Sequence, residues 1–168
     1  HNQKSIEFAL DSKLQIIDNF AFYFSSIENI IIPSKLKQIG KSAFSYCKKF
    51  QRIEIPTDSK LSMIDEETFS QSSIECISIP SNITKIGNGS FVFCRKFRKI
   101  KIAADSNLQI IGERAFAFSS IESISIPSKV KRIEKHAFNN CKQLQIVEFD
   151  PNSEIEFIDQ ISFPFSNN

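Results

Sequence analysis

The chain has no real excess of charge of either sign. Its 168 residues hold 21 lysines and arginines against 19 aspartates and glutamates, a net charge of +2. That balance removes the usual reason to expect nucleic acid or an anionic membrane as the general partner. No apolar run approaches the ~20 residues of a membrane span, so no direct membrane insertion is expected of this segment. No secretory signal heads it, and His1 reads as the remnant of an added segment, with the natural N-terminus expected elsewhere. The four cysteines form no C-x-x-C pair, which leaves no metal site. With His136 the only internal histidine, no Ser-His-Asp array can be assembled. Gly87-Asn88-Gly89 lacks the lysine and the later glycine of a phosphate loop. Glu66 and Glu67 are adjacent on a turn and do not face each other as a catalytic pair. No catalytic residue, cofactor or metal is therefore expected, and the chain reads as a non-enzyme. Tryptophan is absent too, yet phenylalanine reaches 17.

Those phenylalanines are placed with regularity. Phe22, Phe44, Phe69, Phe91, Phe116, Phe138 and Phe163 are separated by steps of 22, 25, 22, 25, 22 and 25 residues. The true period is thus a 47-residue pair of unequal turns. An isoleucine series keeps the same beat at Ile17, Ile39, Ile64, Ile86, Ile111, Ile133 and Ile158. Self-similarity at this spacing is the signature of a solenoid. Within each turn, apolar and polar residues alternate, as in Ile77-Ser78-Ile79 and Ile124-Ser125-Ile126, which predicts a strand with one buried face. Proline closes the strand at Pro33, Pro56, Pro80 and Pro127, where it cannot donate a ladder hydrogen bond. A second apolar pair follows, then Asp or Gly in most turns, which suits a helix N-cap. Lys41-Ser42-Ala43-Phe44 and its equivalents are expected to form one helical or 3₁₀ turn. One coil cannot bury its own apolar stripe, so coils must stack, with strands ~4.8 Å apart in a parallel sheet and the phenylalanines as an inner ladder.

The phrase from Ile74 to Cys94 reads I-x-x-I-x-I-P-S-x-x-x-x-I-G-x-x-x-F-x-x-C. It resembles the BspA-like subclass of leucine-rich repeats, found in surface proteins of bacteria and parasitic protists. Alternation of a Ser-Ser-Ile closure (Ser72-Ser73-Ile74, Ser119-Ser120-Ile121) with a Cys closure (Cys47, Cys94, Cys141) is most similar to the protist members. Two places depart from the pattern. Ala103 stands where the proline is expected, and Asp150-Pro151 slips it by one position. The expected fold is a right-handed leucine-rich repeat solenoid spanning residues 1–168, with parallel strands and short helical or 3₁₀ turns. The resemblance implies a cell-surface or extracellular location and a role in adhesion or host contact; the residues themselves leave a cytoplasmic location open. The rival expectation is a structural or intracellular scaffold array with no dedicated ligand. No polar cap is seen at either end, and a further Ser-Ser-Ile closure is expected at Phe163-Pro164-Phe165-Ser166. The segment therefore reads as a fragment of a longer array, or as a unit that associates end to end.

Cys47, Cys94 and Cys141 lie 47 residues apart, at one station on alternate coils. Two coils separate them by roughly 10 Å, beyond disulfide reach, so they read as small buried wall residues. Cys76 falls in a strand. Taking the apolar strand residues as inward, the outward pairs are Ser5 and Glu7, Asn29 and Ile31, Arg52 and Glu54, Cys76 and Ser78, Lys99 and Lys101, Ser123 and Ser125, and Ile146 and Glu148. The segment from Asn29 to Ser125 of this face is the candidate surface for a protein partner, such as a host-cell or matrix component. Within it, Arg52, Lys99 and Lys101 suit an acidic partner, with Glu54 as an opposing charge. Cys76, exposed and near cations, is expected to react with thiol reagents first. Two glycosylation sequons, at Asn82 and Asn88, matter only if the protein passes through a secretory pathway.

Overall fold

The computed structural model describes residues 5–9 and 11–164, so His1, Phe165 and Ser166 lie outside the described residues. Within them the repeat becomes a stack of about seven coils. Strands are numbered along the chain. On the front face lie β1 (Ser5–Glu7), β3 (Asn29–Ile31), β5 (Arg52–Glu54), β7 (Cys76–Ile79), β9 (Lys99–Ile102), β11 (Ser123–Ile126) and β13 (Ile146–Phe149). They pair in parallel as β1-β3-β5-β7-β9 and β11-β13. Shorter strands form a second face: β2 (Ile16–Ile17), β4 (Gln38–Ile39), β6 (Met63–Ile64), β8 (Lys85–Ile86), β10 (Ile110–Ile111), β12 (Arg132–Ile133) and β14 (Phe157–Ile158). These pair as β2-β4 and β6-β8-β10-β12-β14. Register advances by one whole coil: Ile30 opposes Ile53, Ile77 opposes Ile100, and Ile64 opposes Ile86. Each isoleucine thus stands on its counterpart, which satisfies the backbone and the apolar stripe together.

The prolines end the front strands as expected. The two departures have a physical return. Ala103 keeps an N–H and donates it to Ile79 O at 3.1 Å; Asp150 does the same to Ile126 O at 3.0 Å. A proline at either position would delete that bond between coils.

The third wall differs from expectation. No helical or 3₁₀ segment occurs among the described residues; tandem β-turns take its place. The residues two before and two after each of the first six ladder phenylalanines adopt left-handed φ of 53–59°: Phe20 and Phe24, Ser42 and Tyr46, Glu67 and Gln71, Gly89 and Phe93, Arg114 and Phe118, His136 and Asn140. A right-handed helix cannot run through such residues. The exchange is between hydrogen-bond directions. A helical turn keeps its N–H groups within the coil. Here every second N–H points along the stack, as Glu67, Phe69 and Gln71 donate to the carbonyls of Asn88, Ser90 and Val92 on the next coil, each at 2.9 Å. The intervening residues bond three back, Ser70 to Glu67 O and Ser72 to Phe69 O. Left-handed φ costs a non-glycine residue about 1–2 kcal/mol, and these bonds between coils offset it.

The N-cap reading of the Asp/Gly position also needs correction. Asp18 and Asp65 accept from the adjacent N–H and Asp159 from the one two residues on, and no helix follows any of them. The glycines serve close approach instead. A Cβ on Gly87 would lie 2.7 Å from both the Asp65 carbonyl carbon and Ile64 O on the coil before.

The core is one continuous cluster. Phenylalanine rings stack from Phe22 through Phe44, Phe69, Phe91, Phe116 and Phe138 to Phe163, centroids 5.0–5.7 Å apart. Phe50 and Phe97 add a second ring to alternate coils, 4.8 Å from Phe44 and 4.6 Å from Phe91. Beside this stack runs a row in which serine and cysteine alternate, half-buried at Ser25 and buried at Cys47, Ser72, Cys94, Ser119 and Cys141. Each thiol donates to the coil before, Cys47 to Phe22 O at 2.8 Å, Cys94 to Phe69 O at 2.9 Å and Cys141 to Phe116 O at 3.0 Å. Ser72 instead accepts from the Ile74 N–H, making a tight local turn. The three buried cysteines are free, as the spacing predicts.

Candidate functional site

The front face is set by the pleat. Because side chains alternate along a strand, burying Ile30, Ile53, Ile77, Ile79, Ile124 and Ile126 turns their neighbours outward. Among the ten candidate residues from Asn29 to Ser125, Asn29 is half-buried and the other nine are exposed. The register brings Arg52, Cys76 and Lys99 into one row and Ser78 with Lys101 into the next. Asn29 opposes Arg52, and Ile31 opposes Glu54.

The charges on this face are unequally engaged. Arg52 and Glu54 contact each other at 3.5 Å, an exposed pair of little energetic weight. Asn29 Nδ2 donates to Ser5 Oγ at 3.3 Å, and Ser125 Oγ to Glu148 at 3.2 Å. Lys99 and Lys101 have no carboxylate within ion-pair distance among the described residues. Small side chains flank both lysines: Cys76 and Ser78 on one coil, Ser123 and Ser125 on the other. The two ammonium groups therefore stand above their surroundings. Toward the first coils, Glu7, Asn29, Ile31, Arg52 and Glu54 line a shallow depression of about 290 Å³.

The other singled-out residues separate from this face. His136 sits half-buried on the turn wall, with Nδ1 3.3 Å from Asn139 Nδ2. Glu66 pairs with Lys41 at 2.9 Å, and Ser42 Oγ donates to Glu67 at 3.2 Å, so neither carboxylate forms a reactive dyad. The hydrogen bond from Lys41 Nζ to Glu66, and then the charge of Glu66, raise the Lys41 pKa. Asn82 is half-buried, with Nδ2 donating to Ser59 O at 2.8 Å and to Leu61 O. Asn88 is exposed, but its Oδ1 accepts from the Glu113 N–H at 3.0 Å. No group of three or more His, Cys, Asp or Glu able to hold a metal occurs among the described residues.

Two surfaces escaped sequence reasoning. On the turn wall, Phe24, Tyr46, Phe93 and Phe118 occupy the left-handed position two residues after the ladder phenylalanine. Phe24 stacks on Tyr46 at 4.8 Å and Phe93 on Phe118 at 4.5 Å. Tyr46, Phe93 and Phe118 border a groove of about 760 Å³ along the stack. At the corner between turn wall and front face, Lys48, Arg95 and Lys96 gather around a second depression. The available signal was phase: reading residues at a fixed offset from each phenylalanine picks out both rows.

Parallel strands one coil apart, an isoleucine and phenylalanine interior, and long solvent-facing surfaces define a leucine-rich-repeat solenoid. The chain belongs to the BspA type leucine rich repeat family, whose model matches residues 1–92 and 62–168 in six copies. Among solved structures, the pneumococcal vaccine antigen PcpA is similar at a TM-score of 0.80 and 24% identity, over 88% of this chain and 40% of that one. A leucine rich cell surface protein from Faecalibacterium prausnitzii is similar at 0.63 and 23%, over 92% and 49% respectively. The T. pallidum leucine rich repeat protein is similar at 0.66 and 21%, over 86% and 68%. At these identities the likeness is one of fold, and the chain spans less than half the length of the first two. No curated protein matches the sequence.

Proposed function

We propose that this chain is a non-enzymatic protein-binding module displayed at the cell surface, whose front face holds an acidic segment of a host-cell or matrix protein. The observation that carries the reading is the Lys99 and Lys101 pair, unpaired among the described residues and standing over coils of small side chains. A flat parallel face suits extended contact. Two exposed ammonium groups favour an acidic partner and speed its encounter. The family supports an interaction role, and the surface descriptions of PcpA and the Faecalibacterium protein support display outside the cell. The test measures binding of the purified chain to host cells and matrix proteins, beside a Lys99→Glu, Lys101→Glu variant with an unchanged melting curve. The variant is expected to lose at least tenfold in affinity. Undiminished binding by the folded variant refutes the assignment of the face. Surface-accessible labelling of the full-length protein tests its display, and protection from the label refutes it.

A further inference from the structure

Near-neutral net charge conceals a segregated basic edge. The residue after each serine or cysteine of the buried row is Ser26, Lys48, Ser73, Arg95, Ser120 or Lys142. Cations fall only on cysteine-bearing coils, roughly 10 Å apart, with a serine on the coil between. Two of those coils add a second cation beside the first, Lys49 and Lys96. Lys48, Arg95 and Lys96 line a depression of about 510 Å³ with Ser72, Ser73 and Phe93, and no carboxylate lines it. None of Lys48, Lys49, Arg95, Lys96 and Lys142 forms an ion pair among the described residues.

Backbone contacts hold this edge in place. Lys48 Nζ donates to Gln71 O at 2.7 Å and lies 5.3 Å from the centre of the Tyr46 ring. Ser120 Oγ donates to Arg95 O at 2.7 Å. Phe93, stacked on Phe118, is 38% exposed and forms an apolar bank to the depression.

We propose that this basic corner binds a linear sulfated polysaccharide running along the stack. Sulfates would meet the cation pairs on alternate coils, sugar hydroxyls the serines between them, and a pyranose face the exposed part of Phe93. The pattern is too sparse for nucleic acid, whose phosphates recur every ~3.4 Å along a strand. A sequence pI of about 8.4 also falls short of the strongly basic character of nucleic-acid-binding domains. Between Lys96 and Lys99 stand the buried Phe97 and Arg98, and Arg98 is paired with Glu122 at 3.6 Å. The corner cations precede the strand that carries Lys99 and Lys101, and the ligand class differs from that of the protein-binding face.

The experiment titrates the purified chain with a size-defined heparin oligosaccharide, with desulfated heparin, a DNA duplex and polyglutamate as comparators. Heparin is expected to bind, more weakly as salt rises, with the comparators at least tenfold weaker. A folded Lys48→Ala, Arg95→Ala, Lys96→Ala variant should lose more than tenfold, while Lys48→Arg, Lys96→Arg stays within threefold of the parent. If the triple variant does not fold, Arg95→Glu alone is read in its place, with the same direction of loss. The Lys99→Glu, Lys101→Glu variant should retain at least a third of the affinity. Absence of heparin binding, equal binding of any comparator, or a loss on the front face matching that at the corner overturns the proposal. Failure of the protein-binding reading would leave these outcomes unchanged.

Discussion

Replacing Phe91 by alanine gives the most direct test of the ringed core. The side chain is fully buried, with Phe69 and Phe116 at centroid distances of 5.2 and 5.3 Å and Phe97 at 4.6 Å. Phe→Ala in a packed interior costs about 3–5 kcal/mol, the larger values arising where the surroundings cannot close on the void. Closure is hindered here. The Phe91 N–H is tied to Ala115 O at 2.7 Å, the Phe69 N–H to Ser90 O at 2.9 Å, and strand ladders fix both flanking coils. A loss in the upper half of the range is expected. Because a solenoid is stabilised by nearest-neighbour interfaces, a weak central rung should also broaden the transition. The control is Phe118→Ala. That ring stacks on Phe93 at 4.5 Å but is 40% exposed, and its loss should cost about 0.5–1.5 kcal/mol. Urea melts followed by circular dichroism give both numbers. An unchanged midpoint for Phe91→Ala, or equal losses at the two sites, would refute the argument.

Other expectations follow from the buried row and the glycines. Burial pushes the Cys94 thiol up to about 12 and Cys141 to about 11, against smaller opposing hydrogen bonds from Ser72 and Ser119. A folded-state pKa above the unfolded value means that this stability is fully present below about pH 9 and is lost as pH rises toward 11–12. The decline is about 1.4 kcal/mol per pH unit for each such thiol. A Cys47→Ser, Cys94→Ser, Cys141→Ser variant should lack it, and equal alkaline slopes in melts of the two proteins would count against it. Cys94→Ser alone should cost only about 1 kcal/mol in urea melts, since serine already occupies the equivalent station at Ser72 and Ser119. Cys76, exposed while the others are buried, should take up a maleimide first, and simultaneous labelling of all four would disprove the face assignment. Gly87→Ala should destabilise by about 1–3 kcal/mol in the same melts, because its Cβ would meet the Ile64 and Asp65 backbone.

Strands and ladders were legible because each rests on a repeated residue type. Isoleucine alternates with small or charged partners, proline ends the strand, and phenylalanine keeps time. The turn wall was not legible. Its left-handed positions hold Ser42, Glu67, Arg114 and His136 as well as Gly89, so side-chain type carries no trace of the backbone they share. Lys41-Ser42-Ala43-Phe44 accordingly reads as a helical turn, although its N–H groups alternate between coils. The Asp/Gly position was legible as special, but approach of the preceding backbone explains the glycines. Outwardness of Cys76, Lys99 and Lys101 followed from alternation alone. Lys48 and Arg95, 47 residues apart, hold the same offset from Phe44 and Phe91, so their row was readable from phase, while the depression they line with Phe93 and Ser73 needed the three-dimensional structure.

The serine–cysteine alternation imposes a parity rule on the array. Removing one serine-bearing coil would seat two cysteines on successive coils, about 4.8 Å apart, within the Cα separation that a disulfide spans. It would also set two doubly ringed coils, of the Phe44–Phe50 kind, against each other, crowding an interior that tolerates overpacking poorly. Gain or loss of a whole 47-residue pair keeps every neighbour as it was. Loss of a serine-bearing coil is thus the costly step for this array, and a whole pair the neutral one. The unit of inheritance is the pair, although the unit of architecture is the single coil.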